Sequence, residues 1–272
     1  MRAQKFCGER RKATGRRNDR PQGRRRKFDW GDYTHNFNRG YLFNVGYREA
    51  LKLTDNTTDG LCVIRHDIDL LLEDDRLIYE CSRDPTHFSV GVDTLQYRLS
   101  YDLLFGGVVA ILGEQFNEVN GFSNIYFGWG GEDDDFRARL FEFGFIPVHH
   151  KNVSWARYSM LTHKHADETQ NNVRHDLLRN GYQRYNCDGL SSTMYTVTNT
   201  EFKKHNIFIR INTPVDLKMS TICMNCFYKD PSIDICNKVQ PKYEENKANV
   251  KQNIMFFPFG LMCIAQIAHC TN

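Results

Sequence analysis

No apolar run in this 272-residue chain is long enough to cross a bilayer. The longest, Ile254 to Ala268, is interrupted by Pro258 and Gly260 and falls short of the ~20 residues a spanning helix needs. The N-terminus lacks the apolar core of a signal peptide, and no internal repeat is visible. Cys223-Met-Asn-Cys226 has zinc or redox spacing, but no second CxxC or His pair follows to complete a metal site. Nine cysteines are too few for a disulfide-stapled miniprotein and many for a reducing compartment. What is present is the material of a folded domain: 40% hydrophobic and 13% aromatic residues exclude disorder along the whole length.

Charge is unevenly placed. Residues 1–30 hold twelve Lys/Arg against three acids, whereas the remaining chain holds 24 basic and 30 acidic groups. The basic leader reads as a solvated, disordered segment. Nucleic-acid binding is the alternative, disfavoured because no recognised binding motif follows and the body is acidic. The sequons Asn56-Thr-Thr and Asn152-Val-Ser fit passage through a secretory compartment.

From about residue 36 to 214 strand-like and helix-like patterns alternate. Asn44–Leu53 reads as a helix, Leu61–His66, His87–Val92 and Phe105–Leu112 as strands, Glu114–Val119 and Phe136–Phe143 as helices, and Phe145–Val148 as a strand. Such alternation predicts an α/β layer, helices packed on a mixed sheet, with ligands at the carboxyl ends of strands.

Three motifs carry chemistry. Asp67-Ile68-Asp69 follows an apolar strand. Period-two alternation would put both carboxylates on one face, where they could hold a hard divalent ion bridging a diphosphate. Taken alone, the pair is a weak signal that more often marks a solvated strand-to-loop turn. Gly128-Trp129-Gly130-Gly131 precedes Glu132-Asp133-Asp134-Asp135: a flexible backbone, a flat face for a sugar or base, then acids at a helix start. Repulsion among those acids would raise one carboxyl pKa and make it a better base, although acids in a first turn are also ordinary capping. Met160-Leu-Thr-His163-Lys-His165 sets two imidazoles on one face of an extended chain, or two surface histidines.

The order of these motifs is informative. Together with Asn36-Phe37-Asn38-Arg39-Gly, Phe105-Gly-Gly, Asn120-Gly-Phe-Ser-Asn and Asp188-Gly-Leu, they resemble the beta-1,4-galactosyltransferase family across roughly residues 36–214. The resemblance implies a GT-A-like (Rossmann-like) α/β fold and an inverting, Mn2+-dependent transferase. It implies a UDP-GalNAc or UDP-Gal donor and O4 of a terminal N-acetylglucosamine as acceptor. By the same resemblance Phe37, Asn38 and Arg39 contact the uridine nucleotide, Asp67 and Ile68 line its site, and Asp69, Met160 and His163 ligate the metal, with His165 nearby on the nucleotide-sugar side. Trp129 belongs to a closing loop. Gly130, Gly131, Glu132, Asp133 and Asp134 form the acceptor site, with Asp133 the base and Glu132 beside it. Arg174 contacts the N-acetyl end, and Cys62–Cys81 is a disulfide. Leu104 stands where galactose-specific members have tyrosine, implying a preference for N-acetylgalactosamine.

Three departures accompany the resemblance. The family's first strand, with its Pro-Phe-Arg-x-Arg motif, has no counterpart here, nor do its membrane anchor and stem. Residues 215–272 read as an extra Cys-rich tail, poorly ordered, and residues 31–214 as a partial catalytic domain. His165 makes an HxH that Met-x-x-His members usually lack. The expected location is the lumenal side of the Golgi membrane, and the alternative function is an inactive protein of the same fold.

Overall fold

The computed structural model describes residues 38–54, 56–162, 171–204, 206–213, 250–259 and 261–266. Phe37, His163, His165, the basic leader and the Cys223–Cys226 pair lie outside the described residues.

The first described element is helix α1 (Arg39–Leu51), starting five residues ahead of the helix expected from periodicity. Asn38 is the cause: its side chain accepts from the Tyr41 N–H at 2.9 Å and caps the first turn, while its amide donates to the Asn124 carbonyl at 2.7 Å. α1 is buried on nearly every side, so its sequence lacks the one-sided stripe that marks a surface helix. Strand β1 (Cys62–Asp67) follows, then β2 (Leu70–Leu72). The expected strand His87–Val92 is divided into β3 (Thr86–His87) and β4 (Gly91–Val92), which belong to different sheets. Beyond these come β5 (Val108–Leu112), α2 (Gly113–Glu118), α3 (Glu132–Glu142), β6 (Val148–His149) and β7 (Arg157–Met160). The remainder is α4 (Asn171–Arg179), β8 (Thr196–Phe202), β9 (Ile207–Thr213), β10 (Val250–Phe259) and β11 (Leu261–Gln266).

The larger sheet runs β6-β3-β5-β1-β11-β10-β9-β8 and the smaller β2-β7-β4. It is a mixed α/β arrangement: β1 pairs antiparallel with β5 on one side and parallel with β11 on the other. The segment after residue 214, expected to be an extra tail, thus contributes two strands to the sheet, β10 pairing with β9 and β11 with β1.

One core layer holds α1, β1, β5, α2, α3 and β9 together through Tyr41, Phe43, Val63, Val109, Phe116, Phe136 and Ile209, with Phe122 from the loop before α3. Phe122 and Phe136 stack at 4.0 Å between ring centroids, fixing α3 against the loop before it. A second layer, around Ile64, Phe88, Val108 and Tyr158, lies between the sheets. Cys62 and Cys81 are disulfide-bonded with Cα atoms 5.4 Å apart, tying the start of β1 to the chain nineteen residues on.

Two of the family-like motifs are structural. A Cβ at Gly121 would sit 2.4 Å from Asn44 Oδ1, and one at Gly189 would sit 1.9 Å from the Asn120 carbonyl. Asp188 receives hydrogen bonds from Ser123 Oγ, the Asn124 N–H and Arg184 Nε. Glycine and a buried carboxylate are needed there so that two loops can close on each other.

Candidate active site

The site forms where the carboxyl end of β1 meets the amino ends of α1 and α3. Arg39, the first residue of α1, donates from Nη1 to Asp67 Oδ2 at 2.8 Å and from Nε to Glu132 Oε1 at 2.7 Å. Its Nη2 also pairs with Glu132. Burial works against the Arg39 charge, but Asp67, Glu132 and Asp133 outweigh it and hold the guanidinium above its ordinary pKa. One cation thereby ties the strand-end carboxylate to the first turn of α3.

The expected alternation of Asp67 and Asp69 does not occur. β1 ends at Asp67, and Ile68 and Asp69 form the turn into β2. A turn reverses the chain, so strand periodicity no longer sets side-chain direction. Asp69 is brought to the Met160 segment instead. Leu70 pairs with Met160 across β2 and β7, and the Leu161 N–H donates to the Asp69 carbonyl at 2.7 Å.

Glycines shape the loop before α3. Gly128, Gly130 and Gly131 have φ of +84°, +100° and +94°, in the region that favours glycine. Trp129 between them is 47% exposed, leaving an indole face towards solvent. Arg174 of α4 packs across this loop, with Nη1 only 2.7 Å from where a Cβ at Gly130 would stand. The structure therefore joins Arg174 to the Trp129 loop.

The four acids of the first turn of α3 divide by environment. Asp135 is buried and paired with Arg184 Nη2 at 2.8 Å and Arg139 Nη2 at 3.4 Å, a structural network. Glu132 faces Arg39. Asp134 accepts from the Tyr101 hydroxyl at 2.8 Å; burial raises its pKa, and the Tyr101 bond opposes that. Asp133 is half-buried and faces Gly106, where an added Cβ would lie 2.5 Å from its Oδ2. Burial, then the neighbouring Glu132 charge, push the Asp133 carboxyl up to about 6, with Arg39 and Arg65 opposing. A carboxyl so tuned takes a proton more readily than an ordinary aspartate near neutral pH. Leu104 is half-buried on the other side of Gly106, its Cδ1 3.7 Å from the same Cβ position.

Sequence reasoning passed over three residues. Arg65, 3% exposed, lies over the adjoining Phe43 and Phe122 rings with Nη2 3.6 Å from Asp67 Oδ1. Its signal was a lone charge inside an apolar strand. Tyr101 and Asp93 carried no local pattern.

Of the residues implied for a divalent cation, Asp69 and Met160 lie on adjoining chain segments and carry donors such an ion can use. Asp69 supplies an oxygen donor suited to a hard ion, and Met160 stands one residue before the Leu161 amide bonded to it. Asp67 Oδ1 is buried and accepts no hydrogen bond, with the Arg65 guanidinium 3.6 Å away. Among the described residues no three His, Cys, Asp or Glu side chains cluster as a metal cage; the implied set includes a thioether and His163, which lies outside them. Among the described residues no helix is long and apolar enough to cross a membrane.

Comparison with known proteins bears on this arrangement. A family model described as the N-terminal region of glycosyl transferase group 7 matches residues 31–82, and one described as the N-terminal domain of galactosyltransferase matches residues 86–164. Beta-1,4-galactosyltransferase 5 of Danio rerio is 42% identical over 160 residues, covering 59% of this chain and 41% of that protein. Beta-1,4-galactosyltransferase 4 of Cricetulus griseus is 42% identical over 184 residues, covering 65% and 52%. The chain thus spans about half the length of these curated relatives or somewhat less. The catalytic domain of Drosophila beta-1,4-galactosyltransferase 7, solved with xylobiose, superposes with a TM-score of 0.50 at 22% identity, covering 86% of this chain and 77% of that one. A mutant of the Drosophila enzyme solved with manganese, UDP-Gal and xylobiose gives 0.50 at 20% identity, covering 87% and 77%. At that identity the likeness speaks to a shared GT-A fold.

Proposed function

Because the chain belongs to the beta-1,4-galactosyltransferase family of group 7 glycosyltransferases, we propose that it transfers a hexose from a UDP-sugar to a sugar hydroxyl with inversion, in a Mn2+-dependent reaction. The observation that carries this reading is Asp133: a carboxyl pushed up to about 6, in the first turn of α3, beside the glycine-framed Trp129 and next to Gly106.

In the reaction, O4 of a terminal N-acetylglucosamine attacks the anomeric carbon of the donor. The O4 proton passes to the Asp133 carboxylate as the new C–O bond forms, and the bond to the diphosphate oxygen breaks to release UDP. Asp134 holds a neighbouring acceptor hydroxyl, and Arg174 stands over the glycine loop. Trp129 closes over donor and acceptor, excluding water that would hydrolyse the donor. Asp69, Met160 and His163 would hold the manganese, which would supply positive charge to the leaving diphosphate. Arg39 faces the nucleotide, the buried Asn38 before it fixes the start of α1, Phe37 precedes them in the chain, and Asp67 and Ile68 border the nucleotide.

Leu104 sets the donor. It borders Gly106 beside Asp133, and a leucine leaves room for the acetamido group of N-acetylgalactosamine that a tyrosine ring would crowd. The preferred donor is therefore UDP-GalNAc, with UDP-Gal slower. The place of action is the lumenal side of the Golgi, and the catalytic unit is centred on residues 31–214.

The test is UDP release by the chain with Mn2+ and N-acetylglucosamine, run with each UDP-sugar. Turnover that needs the acceptor and the metal, and is faster with UDP-GalNAc, is expected. Manganese binding without turnover would favour the inactive-protein reading.

A further inference from the structure

β4 lies beside β7 as a parallel neighbour, but the pairing stops at Val92 opposite Tyr158. At Asp93 the backbone turns into a single 3-10 turn, Asp93–Leu95, and leaves the ladder. The next inward-facing amide of β7, that of Met160, would then have no strand carbonyl to meet. The Asp93 side chain takes that place: its Oδ1 accepts the Met160 N–H at 2.9 Å, and the Thr94 N–H at 2.6 Å. The Thr94 hydroxyl reaches Met160 Sδ at 3.6 Å. On the opposite edge the Leu161 N–H is held by the Asp69 carbonyl at 2.7 Å. The chain at Met160 and Leu161 is thus clamped from both sides, by the Asp69 main chain and by the Asp93 carboxylate.

We propose that Asp93 is the positioning residue of the cation site, setting Met160 in register with Asp69. The inference rests on the manganese reading above and adds to it a residue outside the ligand set. Asp93 acts through the direction of one acceptor oxygen, not through its charge. A group that orients ligands in this way typically governs metal affinity by about 10–100-fold.

Two substitutions separate geometry from charge. Asp93→Asn keeps an acceptor at the Oδ1 position and removes the charge; Asp93→Glu keeps the charge and moves the acceptor by one methylene. Mn2+ alone is titrated into the full chain, and the free ion is read from its electron paramagnetic resonance signal. Thermal melting of each variant without metal reports the fold. The expected result is near wild-type affinity for Asp93→Asn and a loss of about tenfold or more for Asp93→Glu, with melting unchanged. Wild-type affinity in Asp93→Glu would overturn the proposal. So would a loss in Asp93→Asn as large as that in Asp93→Glu, because charge would then be what matters. If wild-type protein binds no Mn2+, the manganese reading itself fails, and that outcome is distinct from a wild type that binds and variants that bind equally well.

Discussion

Replacing Asp133 by Asn should abolish transfer and, at neutral pH, make the fold more stable. The reasoning starts from the carboxyl's pKa, raised from an ordinary 3.8 to about 6 by burial and by Glu132. A raised carboxyl pKa means that the fold favours the protonated form. Its favourable contribution is complete below about pH 4 and is lost as the pH rises through about 6; above that the ionised side chain opposes folding. The full span from 3.8 to about 6 corresponds to about 3 kcal/mol at 1.36 kcal/mol per pH unit. Asp133 is only half-buried, and solvent screening reduces this to about 1–2 kcal/mol. Asparagine is uncharged at every pH, so Asp133→Asn should gain about 1–2 kcal/mol over wild type at pH 7.5 and nothing at pH 4. The assay is urea unfolding of both proteins without metal at pH 4, 5, 6 and 7.5. At pH 7.5 the gain should raise the melting temperature by roughly 2–4 °C per kcal/mol. The difference should open between about pH 4 and 6 with a midpoint near about pH 5, while the acid limb of the wild-type pH–rate profile should fall near the folded value of about 6. A gain independent of pH, or a variant less stable than wild type at pH 7.5, would refute the placement of Asp133 as a strained carboxyl.

Arg39→Met removes the cation shared by Asp67 and buried Glu132 and should cost about 3 kcal/mol in urea unfolding; adding Glu132→Gln should recover part of it, and an additive double mutant would refute the pairing. Breaking the Cys62–Cys81 bond by Cys62→Ser with Cys81→Ser should cost on the order of 3 kcal/mol for a closed loop of this length; an unchanged unfolding midpoint would show that the disulfide does not brace β1. Leu104→Tyr should reverse the donor preference from UDP-GalNAc to UDP-Gal, measured as the ratio of the two rates on one N-acetylglucosamine acceptor; an unchanged ratio would free this position of the role.

Much of the molecule was legible before any coordinates. The apolar run after Leu61, the apolar segment ending at Leu112 and the periodic stretch from Phe136 each announced the element they form, because burial on one face imposes a local period. The glycine-Trp-acid segment announced a loop feeding a helix, since positive φ and first-turn acids are properties of adjacent residues. Tertiary contacts decided the rest. Arg39 and Glu132 lie 93 residues apart, and nothing in either segment specifies the other. The division of His87–Val92 between two sheets, the pairing of β11 beside β1 and the capture of the Met160 amide by Asp93 are meetings between segments that are equally regular apart. The four acids in the first turn of α3 show the difference most clearly. Their sequence makes them near equals, whereas the fold turns Asp135 inward to Arg184, ties Glu132 to Arg39, gives Asp134 the Tyr101 hydroxyl and sets Asp133 beside Gly106. Proton affinity depends on desolvation and on charges a few ångströms away, and those distances exist only once the chain has folded.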